Sequence, residues 1–355
     1  MTNSKPKYLD NAASTPLDPR VFEAMKPYFL EHFGNASSKH VYGVTAKKAI
    51  ETARDQVAEI INAEAKEMIF TSGSTEAINL VIKGYLEANP DKGNHIITVK
   101  TEHKAVLNTC EYLETKGVEV TYLGVDSNGI ISLDELQNAI QENTSLICVM
   151  YVNNEIGVIQ PIQEIGQIAR NNDICFFSDA TQAVGKVKVD VIADNIDMLC
   201  LSGHKMNGPK GVGALYIRNG IKLEAQIHGG GQERGMRGGT YNTPLIVGLG
   251  IACELARIEF DKNVERLRSE RDEHEERFKK DRIGEVNCKD ALRAPHISSL
   301  SLIETDAEDF LLKKHKEFVA STGSACNSGI VDCSHVSKEI NSQNCNKILR
   351  LSFHI

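Results

Sequence analysis

The sequence predicts an α/β protein with a large, mostly parallel sheet, helices on both faces of that sheet, and a smaller α+β unit. Between about residues 45 and 217, stretches with helical periodicity alternate with short apolar runs, which is typical of successive βαβ units. Beyond residue 258 the chain becomes densely charged and then returns to short apolar runs. We therefore predict a large domain over 17–258 and a small domain made of 1–16 and 259–355.

The elements follow from periodicity in chain order. Residues 45–63 place Ala46, Ile50, Ala53 and Val57 on one stripe and predict a helix. Further helices are predicted at 74–88 and 104–117, and strands at 67–72, 95–100, 118–123, 145–152, 173–180, 196–202 and 213–217. Past the charged passage that ends at 281, the segments 298–303, 306–315 and 318–326 supply the smaller α+β unit.

Composition excludes several classes of protein. The 355 residues carry 40 Lys and Arg against 48 Asp and Glu, a net charge of -8, which argues against direct nucleic-acid binding as the main task. No run of about 20 apolar residues predicts a membrane span. The polar start of the chain lacks the apolar core of a signal peptide, so we expect the cytoplasm. Nine cysteines without a CxxC pair indicate neither a metal site nor a disulfide framework.

Five polar side chains each follow a different predicted strand: Thr75, His103, Asn154, Asp179 and Lys205. Taken alone, each has an ordinary explanation, such as a surface lysine, a helix cap or a turn residue. Together they are expected at one edge of the sheet, because the carboxyl ends of parallel strands meet there and form the ligand site of open α/β folds.

The residue types at this edge suit one kind of chemistry. A lysine with a lowered pKa reacts as an amine with carbonyl compounds, which suits Lys205. A carboxylate such as Asp179 can keep a pyridine ring protonated and able to accept electrons. The loop before the helix at residue 74 is rich in Ser, Thr and Gly, and such loops hold phosphate groups. His103 could stack on an aromatic cofactor and move protons.

The chain resembles the pyridoxal-phosphate enzymes of fold type I, in particular the class V aminotransferase family and its cysteine desulfurases. The resemblance covers most of the chain, and its motifs occur in family order: YLDNAAST, FGNASSKHVYG, TSGSTEAIN, TEHKAV, NNEIG, SDATQ, SGHK, HGGGQERGMRGGT, STGSAC and RLSF. It implies a large, mostly parallel sheet of the seven-stranded type, pyridoxal 5'-phosphate as cofactor, and a homodimer.

The resemblance also implies roles for individual residues. Lys205 forms the internal Schiff base and later moves protons, and Asp179 pairs with the pyridine nitrogen. Gln182 faces the phenolic oxygen of the cofactor. His103 stacks on the ring and takes part in acid–base steps, and Asn154 contacts the ring or the substrate carboxylate. The phosphate is held by Ser74, Thr75, Ser202 and His204, and Thr240 reaches the phosphate of the neighbouring subunit.

Substrate and sulfur transfer are implied in the same way. Arg350 clamps the carboxylate of L-cysteine, with help from Asn35. Cys326, in the Ser- and Gly-rich segment STGSAC, is expected in a mobile, accessible loop, where its thiolate takes the sulfur as a persulfide and leaves alanine. The persulfide is passed to acceptor proteins of iron–sulfur assembly, tRNA thiolation or DNA backbone modification. Cys333 is either a second redox-active thiol or, preferably, a bystander.

Two alternatives remain open from the sequence. One is another pyridoxal-phosphate enzyme on the same scaffold, such as an aminotransferase or a selenocysteine lyase, which would depend less on Cys326. The other is a weakly active scaffold in a sulfur-trafficking or defence complex, an alternative raised by the short segment after Arg350.

Overall fold

A computed structural model describes residues 5–327, 330–340 and 345–355, with side chains for all of these except 324–327 and 330–332. The helices are α1 (Pro19–Met25), α2 (Pro27–Leu30), α3 (Val41–Glu59), α4 (Ser74–Ala88), α5 (Lys104–Glu114), α6 (Leu133–Ala139), α7 (Ile162–Asn171), α8 (Thr243–Ile258), α9 (Phe260–Lys280), α10 (Ala307–Lys314) and α11 (His335–Ile340). The strands are β1 (Lys7–Tyr8), β2 (Met68–Thr71), β3 (His95–Val99), β4 (Glu119–Leu123), β5 (Thr144–Cys148), β6 (Cys175–Asp179), β7 (Met198–Ser202), β8 (Gly213–Ile217), β9 (Gly284–Val286), β10 (Ile297–Leu302), β11 (Phe318–Val319), β12 (Ser321–Thr322), β13 (Ser324–Asn327), β14 (Ile330–Cys333) and β15 (Ile348–Ser352).

The central sheet has seven strands in the order β2-β8-β7-β6-β5-β3-β4. Strand β8 runs antiparallel to both of its neighbours, and the remaining pairs are parallel. The predicted fold class is confirmed. The strand order places the carboxyl ends of β3, β5, β6 and β7 along one edge.

Helices cover both faces of this sheet, as adjacent strand residues show. Ile97 and Phe176 pack with α3, α7 and α8 in one apolar core, whereas Ile96 and Phe177 pack with α4 and α5 in the other. Alternate residues of a strand point to opposite faces, so a strand buried on both faces must be apolar throughout. This accounts for the continuous apolar runs that predicted the strands.

A second, smaller sheet has the order β12-β15-β10-β9, and its paired strands are antiparallel. Its core joins residues from both ends of the chain, among them Leu9, Leu267, Phe310 and Leu351. Strand β1 lies parallel to β11, which ties the N-terminal segment to the C-terminal part. The domain limits at residues 16 and 258 stay a prediction.

The region of Cys326 differs from the sequence expectation. Backbone residues 324–327 form a strand that pairs antiparallel with β14, with Cys326 opposite Val331, so the expected loop is wrong. The structure also contains a disulfide bond that the cysteine spacing did not indicate, between Cys333 and Cys345, whose Cα atoms are 5.5 Å apart. The fold brings these two residues together, and their spacing in the sequence carries no pairing signal.

None of the helices within the described ranges is long and apolar enough to cross a membrane.

Candidate active site

A cavity of about 680 Å³ opens at the carboxyl edge of the central sheet. Thr75, His103, Asn154, Asp179 and Lys205 all line it, each contributed by the segment at or after the end of a different strand. Its remaining polar lining residues include Ser14, Ser72, Ser74, Glu76, Thr181, Gln182, Ser202, His204, Lys210 and Arg350. The topology of the central sheet thus gathers residues that are up to 130 positions apart in the chain, from Thr75 to Lys205, and Arg350 joins them from the smaller sheet.

Lys205 ends a short 3-10 turn that follows β7. Its Nζ donates hydrogen bonds to the carbonyl oxygens of Ala12, at 2.5 Å, and Ala13, at 2.9 Å. Burial, with a further contribution from Arg350, lowers the pKa of Lys205 to about 8. A substantial fraction of the amine is therefore neutral near pH 8 and able to attack a carbonyl carbon.

Asp179 is buried at the end of β6 and is held by Thr181. Its Oδ1 accepts hydrogen bonds from the backbone N–H of Thr181, at 3.0 Å, and from the Thr181 hydroxyl. The same hydroxyl lies 2.6 Å from Oγ of Ser74. Thr181 therefore links the carboxylate to the start of α4. The sequence analysis missed this role, although a hydroxyl two residues after the aspartate in DATQ was a usable signal.

The start of α4 offers a cradle for an anion. Ser74 and Thr75 are the first residues of this helix, whose free N–H groups open onto the cavity beside Ser202. Burial first, then the charges of Lys205 and Lys210, lower the pKa of His204 to about 4, so its ring is neutral near pH 7. Lys210 also lines the cavity and adds a cation that the sequence analysis did not identify.

His103 and Gln182 both line the cavity. His103 caps α5, because its Nδ1 accepts the backbone N–H of Ala105 at 3.1 Å, and desolvation lowers the pKa of its ring. Gln182 is buried, and its Nε2 donates to the carbonyl oxygen of Ala12 at 2.8 Å. One carbonyl group therefore contacts both Gln182 and Lys205.

Arg350 projects into the cavity from β15, although it lies only five residues from the end of the chain. Its Nη2 donates to Oδ1 of Asp10 at 2.6 Å and to Oγ of Ser321 at 3.0 Å, and its Nη1 donates to the backbone oxygen of Asn154 at 3.1 Å. Its Nε is buried and has no hydrogen-bond partner among the residues that the structure describes. The guanidinium thus keeps an unused donor, as a group that receives a carboxylate requires. Asp10, which orients it, was not identified from the sequence.

Three predicted site residues lie elsewhere or cannot be placed. Asn35 is exposed ahead of α3 and does not line the cavity, because its Oδ1 holds a local turn by accepting the Ser37 N–H at 2.9 Å. Thr240 lies in a separate cavity of about 290 Å³, which shares Ser72 with the main one. The side chain of Cys326 lies outside the described residues.

The loop that carries Thr240 is anchored by a buried ion pair. Both Arg54 and Glu233 are almost fully buried, and their side chains form two hydrogen bonds of 2.7 and 2.9 Å. Glu233 has a φ of 45°, in the left-handed region that non-glycine residues rarely adopt. Its carboxylate also accepts the N–H of Phe70 in β2 at 2.9 Å, which fixes the loop to the sheet.

Comparisons with known proteins identify the family of this chain. The family model for class-V aminotransferases matches residues 7–355. The chain belongs to the class-V aminotransferase family. It is 50% identical over 336 residues to a protein of Methanosarcina thermophila named cysteine desulfurase IscS, covering 94% of this chain and 83% of that one.

Solved structures show the same relationship. A structure described as SspA in complex with cysteine superposes with a TM-score of 0.89 at 40% identity, covering 98% of this chain and all of that one. The structure of DndA from Streptomyces lividans superposes with a TM-score of 0.83 at 37% identity, covering 98% and 99% of the two chains.

Proposed function

We propose that this protein is a pyridoxal-phosphate-dependent cysteine desulfurase, which converts L-cysteine to L-alanine and takes up the sulfur on Cys326. The observation that carries the proposal is the amine of Lys205, with its lowered pKa, facing a cavity that also holds the buried carboxylate of Asp179. The relatives named cysteine desulfurase and the neighbour described with bound cysteine support this choice of reaction within the family.

The residues of the cavity fit the cofactor. Lys205 would hold its aldehyde carbon, Asp179 its pyridine nitrogen and Gln182 its phenolic oxygen. Ser74, Thr75, Ser202 and His204 would hold the phosphate at the start of α4, where free N–H groups favour an anion. When bound, pyridoxal phosphate supplies an electron sink for the substrate carbon.

The side chains of this chain would then divide the remaining work. Arg350 binds the substrate carboxylate, and Asp10 and Ser321 hold its guanidinium in place. Lys205 takes and returns protons, which suits an amine with a pKa of about 8. His103 supports the acid–base steps from the mouth of the cavity, because desolvation keeps its ring largely neutral and able to accept a proton.

Sulfur transfer requires a thiolate from outside these groups, and we assign it to Cys326. Its sulfur attacks the sulfur of the bound cysteine, so a sulfur–sulfur bond forms as the carbon–sulfur bond breaks. The electron pair left on the substrate carbon takes up a proton and gives alanine. The persulfide on Cys326 is then passed to the thiol of an acceptor protein, in iron–sulfur assembly, tRNA thiolation or DNA backbone modification.

We propose a homodimer located in the cytoplasm. Large apolar side chains are exposed from the end of α2 to the start of α3, among them Leu30, Phe33 and Val41, which are 68%, 69% and 72% exposed. A group of exposed large apolar side chains is typical of a protein interface. In such a dimer Thr240, which lies outside the main cavity of its own chain, would contact the phosphate bound by the partner.

The test is alanine formation from L-cysteine with a dithiol reductant present. We compare the wild type with Cys326→Ser and with Cys288→Ser, a matched control at a buried free cysteine. The wild type and Cys288→Ser should form alanine, and Cys326→Ser should fall to background. Absence of alanine from all three proteins would contradict the desulfurase, and equal activity in all three would show that the sulfur leaves by another route.

A further inference from the structure

Two buried polar side chains, Lys186 and His296, have hydrogen-bonding atoms without a partner among the described residues. Lys186 is 1% exposed and His296 is 0% exposed. Within the described part of the chain, neither Nζ of Lys186 nor Nδ1 of His296 has a hydrogen-bond partner. Neither residue lines the main cavity. Burial of an unpaired amine is costly, so the position of Lys186 requires a reason beyond packing.

His296 connects directly to the site through Gln182. The Nε2 of Gln182 is used by the carbonyl oxygen of Ala12, so its Oε1 is the atom that faces Nε2 of His296, at 3.2 Å. His296 must therefore carry its proton on Nε2 and donate it, which leaves Nδ1 as a free acceptor. The imidazole thereby fixes which way the Gln182 amide points.

The chain of contacts continues to Lys205. The carbonyl oxygen of Ala12 accepts hydrogen bonds from both Gln182 and Lys205. A change in the orientation of the Gln182 amide therefore alters the hydrogen bonding of the Ala12 carbonyl oxygen, which also contacts Nζ of Lys205. Hydrogen-bonded groups in a low-dielectric interior polarise one another, which makes such a connection effective.

The electrostatic surroundings of the pair are cationic. The positive charge of Lys205 disfavours protonation of Lys186. The positive charges of Lys186, Lys205, Arg271 and Arg350 disfavour protonation of His296. Desolvation and these charges lower the pKa of Lys186 to about 7 and that of His296 well below its usual range. His296 is thus neutral near pH 7, and Lys186 changes charge in the range in which Lys205 is expected to work.

We propose that Lys186 and His296 are positioning residues, an inference that rests on linkage of the cofactor to Lys205. His296 orients the Gln182 amide. Lys186 provides a buried positive charge that opposes protonation of the Lys205 nitrogen when the cofactor is linked to it. Removal of the Lys186 charge should make the linked nitrogen easier to protonate. Removal of the His296 donor should release Gln182 and weaken its hold on the phenolic oxygen. Both changes should raise the pH at which the linked Lys205 nitrogen loses its proton.

The experiment follows the visible absorption of the bound cofactor against pH in the holoenzyme. The variants are Lys186→Met, His296→Leu, and His296→Gln, whose amide can still donate at the position of Nε2. Lys188→Met is the matched control, because Lys188 lies two residues away and is exposed. The measured quantity is the pH at which half of the protein has lost the proton from the linked Lys205 nitrogen. It is read from the absorption bands of the protonated and the neutral forms of the linked cofactor.

Lys186→Met should move this midpoint upward by roughly half to one pH unit, the scale on which one nearby charge shifts a pKa. It should also sharpen the curve, because two coupled amines titrate more broadly than one. His296→Leu should move the midpoint upward as well, while His296→Gln and Lys188→Met stay at the wild-type value. A purely structural role would alter stability or cofactor content without these shifts.

The two proposals fail in different ways. A wild-type protein that shows no pH-dependent cofactor band would overturn the cofactor linkage at Lys205 itself. A wild-type protein that titrates normally, with Lys186→Met and His296→Leu superimposed on it, would overturn the positioning roles alone. Should His296→Leu fail to fold, the other two variants still test the proposal. An unshifted Lys186→Met curve refutes the role of the charge, and a shifted His296→Gln curve contradicts the role of the Nε2 donor.

Discussion

Lys186→Met should raise the free energy of unfolding of the protein, and the size of this increase should depend on pH. An amine with an ordinary pKa of 10.5 in the unfolded chain and about 7 in the folded chain binds its proton more weakly after folding. At about 1.4 kcal/mol per unit of pKa, this interval corresponds to a folding cost of about 5 kcal/mol. Lys186 is fully buried, so solvent screening does not reduce this figure substantially.

The sign follows from proton binding. Between pH 7 and 10.5 the unfolded chain holds more protons at this position than the folded chain, so the stability of the wild type rises with pH through this range. The free-energy cost of burying the Lys186 amine is fully present below about pH 7 and vanishes above about pH 10.5. Methionine cannot be charged, so the advantage of Lys186→Met is largest at low pH and shrinks by about 2 kcal/mol between pH 7 and pH 9.

Urea unfolding of the cofactor-free protein at several pH values measures this difference, since bound cofactor would add its own stabilisation. Protein concentration is held constant, because dissociation of a dimer would contribute to the transition. Lys188→Met serves again as the exposed control, with no pH-dependent difference expected. A constant difference between Lys186→Met and the wild type from pH 6 to pH 9 would refute the argument that Lys186 is folded with a strongly lowered pKa.

Three further outcomes are expected. Lys205→Ala should purify without the absorption band of the linked cofactor, and a retained band would move the linkage to another lysine. Asp179→Ala should bind the cofactor roughly 10- to 100-fold more weakly and lose most activity, as measured by cofactor titration and alanine formation, because a charge-assisted bond to the ring nitrogen is lost. Arg54→Met should lower the free energy of unfolding by about 3–5 kcal/mol, because Glu233 is left as an unpaired buried charge, and a loss within 0.5 kcal/mol in urea unfolding would contradict this.

Much of the fold could be predicted because its signals are local. The helix from Ser74 to Ala88 and the strand from Gly213 to Ile217 begin and end where the sequence pattern places them. A strand buried on both faces has a continuous apolar run, and a switch to helical periodicity marks the next element. The convergence of Asp179 and Lys205 follows from topology, because Asp179 ends β6 and Lys205 closely follows the end of the neighbouring parallel strand β7.

The remaining parts of the site depend on contacts between distant segments. Asp10 orients Arg350 across 340 positions, and the Cys333–Cys345 bond forms through the return of the chain. Neither contact produces a periodic pattern, so neither could be found by scanning the sequence. The strand at Cys326 was missed for a related reason, since a Ser- and Gly-rich segment has no apolar alternation and is held by pairing with β14.

Lys186 and Lys205 show why geometry must accompany electrostatics in assigning a reactive amine. Burial lowers the pKa of both, and Lys186 has the lower value. A search by pKa alone would choose Lys186, yet its Nζ is enclosed and only Lys205 of the two lines the cavity. Lys205 follows β7 at the carboxyl edge of the sheet, whereas Lys186 is fully buried and does not line the cavity. The reactive position is thus set by access to the cavity, and the buried amine is left to act through its charge.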